Sequence, residues 1–258
     1  MILLHGASGN LRDFTFELTG RLARSGYRVI AFDRPGLGYS DALHGRGESP
    51  TEQATQLDAA AAQLGVKRAV IVGHSYGASV AMAWALSHPD RAAGIVPLAG
   101  ATMPWQGELK SFYAVASSGL GSALISAFAT QETATRALRA IFAPQRPPAG
   151  YIDHVGVDLA LRQDTLRASA RQVNSLKPHL EAMAARYSNL RTPVEIVHGT
   201  ADRTVGIDIH ARPLARRLPN ARLTELPGIG HMPHHGAQGA TVAAIDRAAR
   251  RSGLQARA

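Results

Sequence analysis

Six short apolar runs punctuate this chain: Ile2-Leu3-Leu4, Arg28-Val29-Ile30-Ala31-Phe32, Ala69-Val70-Ile71-Val72, Gly94-Ile95-Val96-Pro97-Leu98, Val194-Glu195-Ile196-Val197 and Arg222-Leu223-Thr224-Glu225-Leu226. Helix-like patterns separate them, and that alternation points to an α/β fold, a mostly parallel sheet with helices packed on its faces. In such a sheet the loops that follow the strands all emerge along one edge, which is where ligands bind. Most of the runs are followed by Gly, Asp or His. Chemistry is therefore expected along the carboxyl edge.

Between the fourth and fifth runs the strand rhythm stops. Apolar residues at helical spacing replace it, as in Ala134, Leu138, Ile141 and Phe142, then Leu166, Val173, Leu176, Leu180 and Met183. Pro144, Pro147 and Pro148 interrupt the pattern, and Pro193 precedes the return of strand. This organisation divides the chain into a core of 1–102 and 191–258 and a helical insertion of 103–190. The insertion holds Trp105, Phe112, Phe128 and Phe142, whose rings either pack its own core or line a pocket.

With 45% hydrophobic content over 258 residues the chain can bury a large core. No apolar run approaches the roughly 18 residues of a membrane-spanning helix, and Met1-Ile2-Leu3-Leu4 lacks the basic flank of a signal peptide. Zero cysteines exclude a thiolate nucleophile and a cysteine-ligated metal site. A net charge of +9 invites thoughts of nucleic acid, but the basic residues are dispersed and no basic block is interleaved with aromatics. No cofactor motif or metal-ligand spacing is present, His74 and His198 included, and both are expected to make local hydrogen bonds.

Gly73-His74-Ser75-Tyr76-Gly77 lies between the third run and the helix-like Ala78-Ser79-Val80-Ala81-Met82-Ala83-Trp84-Ala85-Leu86. A serine at a sharp strand-to-helix turn, flanked by glycines that let the backbones pass closely, is a nucleophile-elbow pattern. Such a serine needs a base and an acid that orients the base. His231, in the loop after the sixth run, is the preferred base; His234 and His235 lie beyond Pro233, at the start of the last helix. Asp202 follows the fifth run directly and is the preferred acid, with Asp208 second; the loop after Leu98 offers none. An oxyanion hole requires two backbone amides. Tyr76 supplies one by position, and Ala7, in the turn His5-Gly6-Ala7-Ser8-Gly9-Asn10, is the candidate for the other. Ser8 adds a hydroxyl there or caps the next helix, and Tyr39 in Asp33-Arg34-Pro35-Gly36-Leu37-Gly38-Tyr39-Ser40 borders the pocket or serves only the turn.

Taken together, His5-Gly6-Ala7, Asp33 to Gly38, Gly73 to Gly77, Asp202 and His231 resemble the α/β-hydrolase fold superfamily over nearly the whole chain. The resemblance implies a helical cap at 103–190 and hydrolysis through an acyl-enzyme without metal or organic cofactor. Serine at the elbow separates the chain from the dehalogenases and epoxide hydrolases of this fold, which use aspartate there. In that family two further strands usually precede the oxyanion strand, so the run ending at Phe32 is expected at a sheet edge and Ile2 to Leu4 is expected to fray.

The leading expectation is a hydrolase of carboxylic esters of small to medium, fairly apolar small molecules. The same triad would also serve hydrolysis of a carbon–carbon bond in a diketone. A binding module that keeps the fold without catalysis is the alternative of another class.

Overall fold

A computed structural model describes residues 1–44, 49–107, 116–118, 122–123 and 130–254. All six apolar runs form strands: β1 Ile2–Leu4, β2 Ile30–Phe32, β3 Ala69–His74, β4 Ala92–Leu98, β5 Val194–Gly199 and β6 Ala221–Leu226. They make one sheet in the order β2-β1-β3-β4-β5-β6, with every pairing parallel. The described helices in chain order are α1 Arg12–Thr15, α2 Leu18–Arg24, α3 Pro50–Gln63, α4 Tyr76–Ser87, α5 Gln131–Phe142 and α6 Tyr151–Val155. They continue with α7 Val157–Leu161, α8 Gln163–Asn174, α9 Leu176–Ala184, α10 Ala211–Arg217, α11 Pro233–Gly236 and α12 Gln238–Arg251.

Because alternate residues of a strand face opposite ways, a strand buried on both faces is apolar along most of its length. Ile2, Leu4, Ile71, Ile95 and Ile196 pack with Val80 and Trp84 on one face. Leu3, Val70, Val72, Val96 and Val197 pack with Phe14, Leu18, Leu22 and Ile245 on the other. The expected fraying of β1 is not seen: it pairs with β2 and β3 on its two sides, and Ile2, Leu3 and Leu4 are fully buried. Edge position does fall to β2, whose residues are half-buried.

All described regular structure between β4 and β5 is helical. Leu176, Leu180, Met183 and Ala184 of α9 share the hydrophobic cluster of the sheet face. Phe142, Tyr151 and Val155, in contrast, form a small cluster with Met232 beside the carboxyl edge. Among the described residues no helix is long and apolar enough to cross a membrane.

Candidate active site

Ser75 leaves β3 with φ 53° and ψ −118°, outside the regions an L-residue prefers. Such a conformation costs on the order of 1–3 kcal/mol and persists only where surrounding bonds over-determine it. Here Ser75 N–H donates to Leu98 O at 2.9 Å, and Ser75 O accepts from Ala78 N and Ala101 N, both at 3.1 Å. The flanking glycines are required by close approach: a Cβ on Gly73 would overlap Gly77 O, and one on Gly77 would overlap Leu4 O and His5 O. Tyr76 begins α4, so its amide belongs to the first turn, where backbone N–H groups have no intrahelical acceptor.

Asp202 and His231 meet although 29 residues separate them: His231 Nδ1–H donates to Asp202 Oδ2 at 2.7 Å. The other carboxylate oxygen accepts from Thr204 N at 2.8 Å and Val205 N at 2.9 Å, which fixes the plane of the acid. Burial favours the neutral acid, but the hydrogen bonds from His198 and His231 outweigh it and hold the Asp202 carboxyl well below the usual range. An ionised acid on Nδ1–H leaves Nε2 of a neutral imidazole as the free basic nitrogen. Gly199 sits under the His231 loop, where a Cβ would overlap Ile229 O and Gly230 O. No hydrogen bond joins Ser75 Oγ to His231 Nε2 among the described residues, and catalytic contacts of this kind are often long before substrate binds.

Behind the imidazole lies a buried cluster that linear spacing did not reveal. His74 Nε2–H donates to the carbonyl of His231 at 2.9 Å. Asp13 accepts from Tyr151 OH at 2.7 Å, from His235 Nε2–H at 2.8 Å and from His234 Nε2–H at 3.0 Å. Burial drives the pKa values of His74 and His234 down, favouring the neutral ring in each. Burial acts to raise the Asp13 carboxyl, yet His234 and the hydrogen bonds donated by His234 and His235 take it well below the ordinary range. Asp13, His74 and His234 bring ligand atoms within 4.8 Å of one another, a grouping that could hold a metal ion. The Asp13 oxygens are already engaged by these donors, and His234 Nδ1 and His235 Nδ1 have no partner. With Nε2–H pointing at the carboxylate, the unpartnered atoms are bare lone pairs, a cheaper loss than buried N–H groups.

The remaining candidates scatter. His234 and His235 donate to Asp13, and Asp208 pairs with Arg212 at 2.6 Å on the surface; among the described residues none of the three is hydrogen-bonded to Asp202 or His231. Ser8 does not cap a helix; its N–H and hydroxyl both engage Ser169 Oγ of α8, at 3.0 and 2.9 Å. Tyr39 is 70% exposed at the surface, between Arg12 and Arg162. Phe142 is buried and packs edge-on to Tyr151. Trp105 is half-buried near His210, with its Nε1 unpartnered. Phe112 and Phe128 lie outside the described residues. His198 donates through Nε2 to Val205 O at 2.8 Å and lies 3.3 Å from Asp202 Oδ2, so it reinforces the acid as well as making the expected local bond.

Comparison with known proteins agrees with this architecture. The chain is 27% identical over 237 residues to a 2-hydroxy-6-oxononadienedioate/2-hydroxy-6-oxononatrienedioate hydrolase of Paraburkholderia phymatum, covering 90% of this chain and 80% of that one. Among solved structures, an esterase from Rhodococcus sp. superposes with a TM-score of 0.76 at 23% identity, covering 98% of this chain and 90% of the other. The 2-hydroxy-6-oxo-6-phenylhexa-2,4-dienoate hydrolase of another Rhodococcus superposes at 0.77 and 19%, covering 96% and 89%. Residues 1–237 match the family described as alpha/beta hydrolase fold. With a parallel sheet, a strained serine after its third strand and a histidine–carboxylate pair at the same edge, the chain belongs to the α/β-hydrolase fold family.

Proposed function

We propose that the protein is a serine hydrolase that cleaves carboxylic esters of small to medium, fairly apolar molecules through an acyl-enzyme on Ser75. The observation that carries this reading is the 2.7 Å bond from His231 Nδ1–H to an Asp202 already fixed by two backbone amides. In the proposed sequence Ser75 Oγ attacks the ester carbonyl as its proton passes to His231 Nε2. The carbonyl oxygen becomes an anion held by the amides of Ala7 and Tyr76. Collapse expels the alcohol, protonated by His231, and water then repeats the steps on the acyl-enzyme. Ala7 N–H fits the part, since it has no hydrogen-bond partner among the described residues. The stretch 103–190, whose described regular structure is helical, is read as the cap that bounds the substrate site.

A second reading, hydrolysis of a carbon–carbon bond beside a carbonyl, is favoured by the hydrolases acting on 2-hydroxy-6-oxo-dienoic acids among the relatives. Both reactions need the same polarised carbonyl, so the residues above serve either. Steady-state turnover of a chain-length series of p-nitrophenyl esters against a 2-hydroxy-6-oxo-dienoate separates them. Preference for esters by a factor of 10 or more in kcat/KM supports the first reading. The reverse preference supports the second, and inertness toward both together with absence of fluorophosphonate labelling would leave a binding module.

A further inference from the structure

Arg34 follows β2, far from the nucleophile in sequence, yet its guanidinium lies fully buried beneath the oxyanion turn. Nε donates to His5 O at 2.8 Å and Nη2 to Gly6 O at 2.9 Å. Nη1 reaches Gln53 Oε1 at 2.8 Å and Gln172 Oε1 of α8 at 2.9 Å. Its Cζ lies over the ring of Tyr76, 4.5 Å from the centroid. His5 completes the clamp. Its Nδ1 is 2.9 Å from Gly6 O, which can only accept, so Nδ1 carries the proton and Nε2 accepts from Arg34 N–H at 3.0 Å. Burial keeps this imidazole neutral, with its pKa lowered to about 3.

A trans peptide is planar, and its C=O and N–H point in opposite directions. Fixing Gly6 O toward Arg34 therefore fixes the Ala7 N–H away from it. The turn itself lies against the nucleophile, since a Cβ on Gly6 would stand 3.1 Å from Ser75 Cβ. The same guanidinium braces the side chain of Tyr76, the residue whose amide is the other proposed donor. We infer that Arg34 is a positioning residue for the oxyanion hole: it aims the Ala7 amide by holding the opposite face of that peptide, and α8 anchors it through Gln172. The inference rests on the proposed serine mechanism.

The test uses the whole chain carrying Arg34→Met or Arg34→Lys, with Ser75→Ala alongside. An aliphatic trifluoromethyl ketone is the probe: Ser75 Oγ adds to its carbonyl carbon, the serine proton passes to His231, and the ketone oxygen becomes an anion in the hole. The matching secondary alcohol fills the same space without charge. Loss of an oxyanion donor costs about 10²–10³ in kcat where measured, so a misaimed donor in Arg34→Met should lower kcat by roughly 10–100-fold. KM should stay within about 3-fold, the ketone should weaken by the same factor as kcat, and alcohol affinity should hold. Arg34→Lys, with one ammonium for two carbonyls, should fall between.

A folded Arg34→Met enzyme with unchanged kcat and ketone affinity overturns the inference, as does equal weakening of ketone and alcohol. Should both Arg34 variants fail to fold, Gln172→Met removes one anchor of the guanidinium. It should show the same selective loss for the ketone at about 3–10-fold, and equal loss for both ligands refutes the proposal. If Ser75→Ala turns over ester or binds the ketone as the parent does, the serine mechanism itself fails, a result distinct from failure at Arg34.

Discussion

Removing the carboxylate of Asp13 should destabilise the carboxyl edge of the sheet, where His231 lies. In Asp13→Ala, Tyr151 OH, His234 Nε2–H and His235 Nε2–H all lose their acceptor in a buried site. Hydrogen bonds to charged groups are worth about 1.5–3 kcal/mol each, but three that share one carboxylate do not add fully. Breaking a buried charged cluster by deleting one member costs about 3–5 kcal/mol, and roughly 4 is the working figure. For a chain of this size that corresponds to a drop in Tm of about 8–16 °C. Asn at this position keeps a carbonyl for one or two of the donors, so about half that loss is expected.

Calorimetry or circular dichroism melts at pH 7 provide the reading, and Tyr151→Phe supplies the control. Alone it should cost about 1 kcal/mol, whereas in the Asp13→Ala background it should cost nothing or restore stability, because it deletes an orphaned hydroxyl. Since folding depresses the Asp13 pKa, its contribution is complete above about pH 4 and is lost as pH falls through the folded value. The gap between parent and variant should close in acid. A melt of Asp13→Ala within 2 °C of the parent, or a Tyr151→Phe cost independent of Asp13, would refute this account.

Ser75→Ala should abolish ester turnover and fluorophosphonate labelling while leaving the circular dichroism spectrum intact; residual labelling would move the nucleophile elsewhere. Asp202→Asn should lower kcat by about 10⁴-fold, the loss seen when a triad acid no longer selects the imidazole tautomer, and near-parent activity would remove Asp202 from the mechanism. Acid should destabilise the fold from about pH 6.5 downward: burial lowers the pKa of His5 to about 3 and of His210 to about 4, so the unfolded chain binds protons first. Each contributes a slope of up to about 1.4 kcal/mol per pH unit between its unfolded and folded values, and a Tm flat from pH 7 to 4.5 would contradict it. Glu195, buried in β5, accepts from Arg247 at 2.9 Å and Arg251 at 2.7 Å. Its replacement by Ala should cost about 2–3 kcal/mol in urea unfolding, less than a fully buried pair, since both arginines reach water and can rehydrate.

The elements written in contiguous residues were legible in the sequence. Strands buried on both faces are apolar along most of their length, so β1, β4 and the Ala69-Val70-Ile71-Val72 part of β3 announced themselves, and Gly73 and Gly77 bracketed a serine turn that only close-approaching backbones require. Parallel order then placed the segments carrying Ser75, Asp202 and His231 at one edge, because every βα loop leaves the sheet on the same side. What the tertiary structure alone decided is the set of contacts around that edge. Asp13, His74, Tyr151, His234 and His235 follow no common period, and they meet because α1, β3, α6 and α11 converge there. Arg34 reads locally as part of a glycine-rich turn, and its hold on Gly6 exists only once β2 and β1 lie side by side. Tyr39 and Phe142 carry the same lesson in reverse, since an aromatic ring in sequence says nothing about whether it meets solvent, core or substrate. Spacing along a chain encodes the face of a helix or strand, and which faces and loops then touch is set by packing between elements distant in sequence.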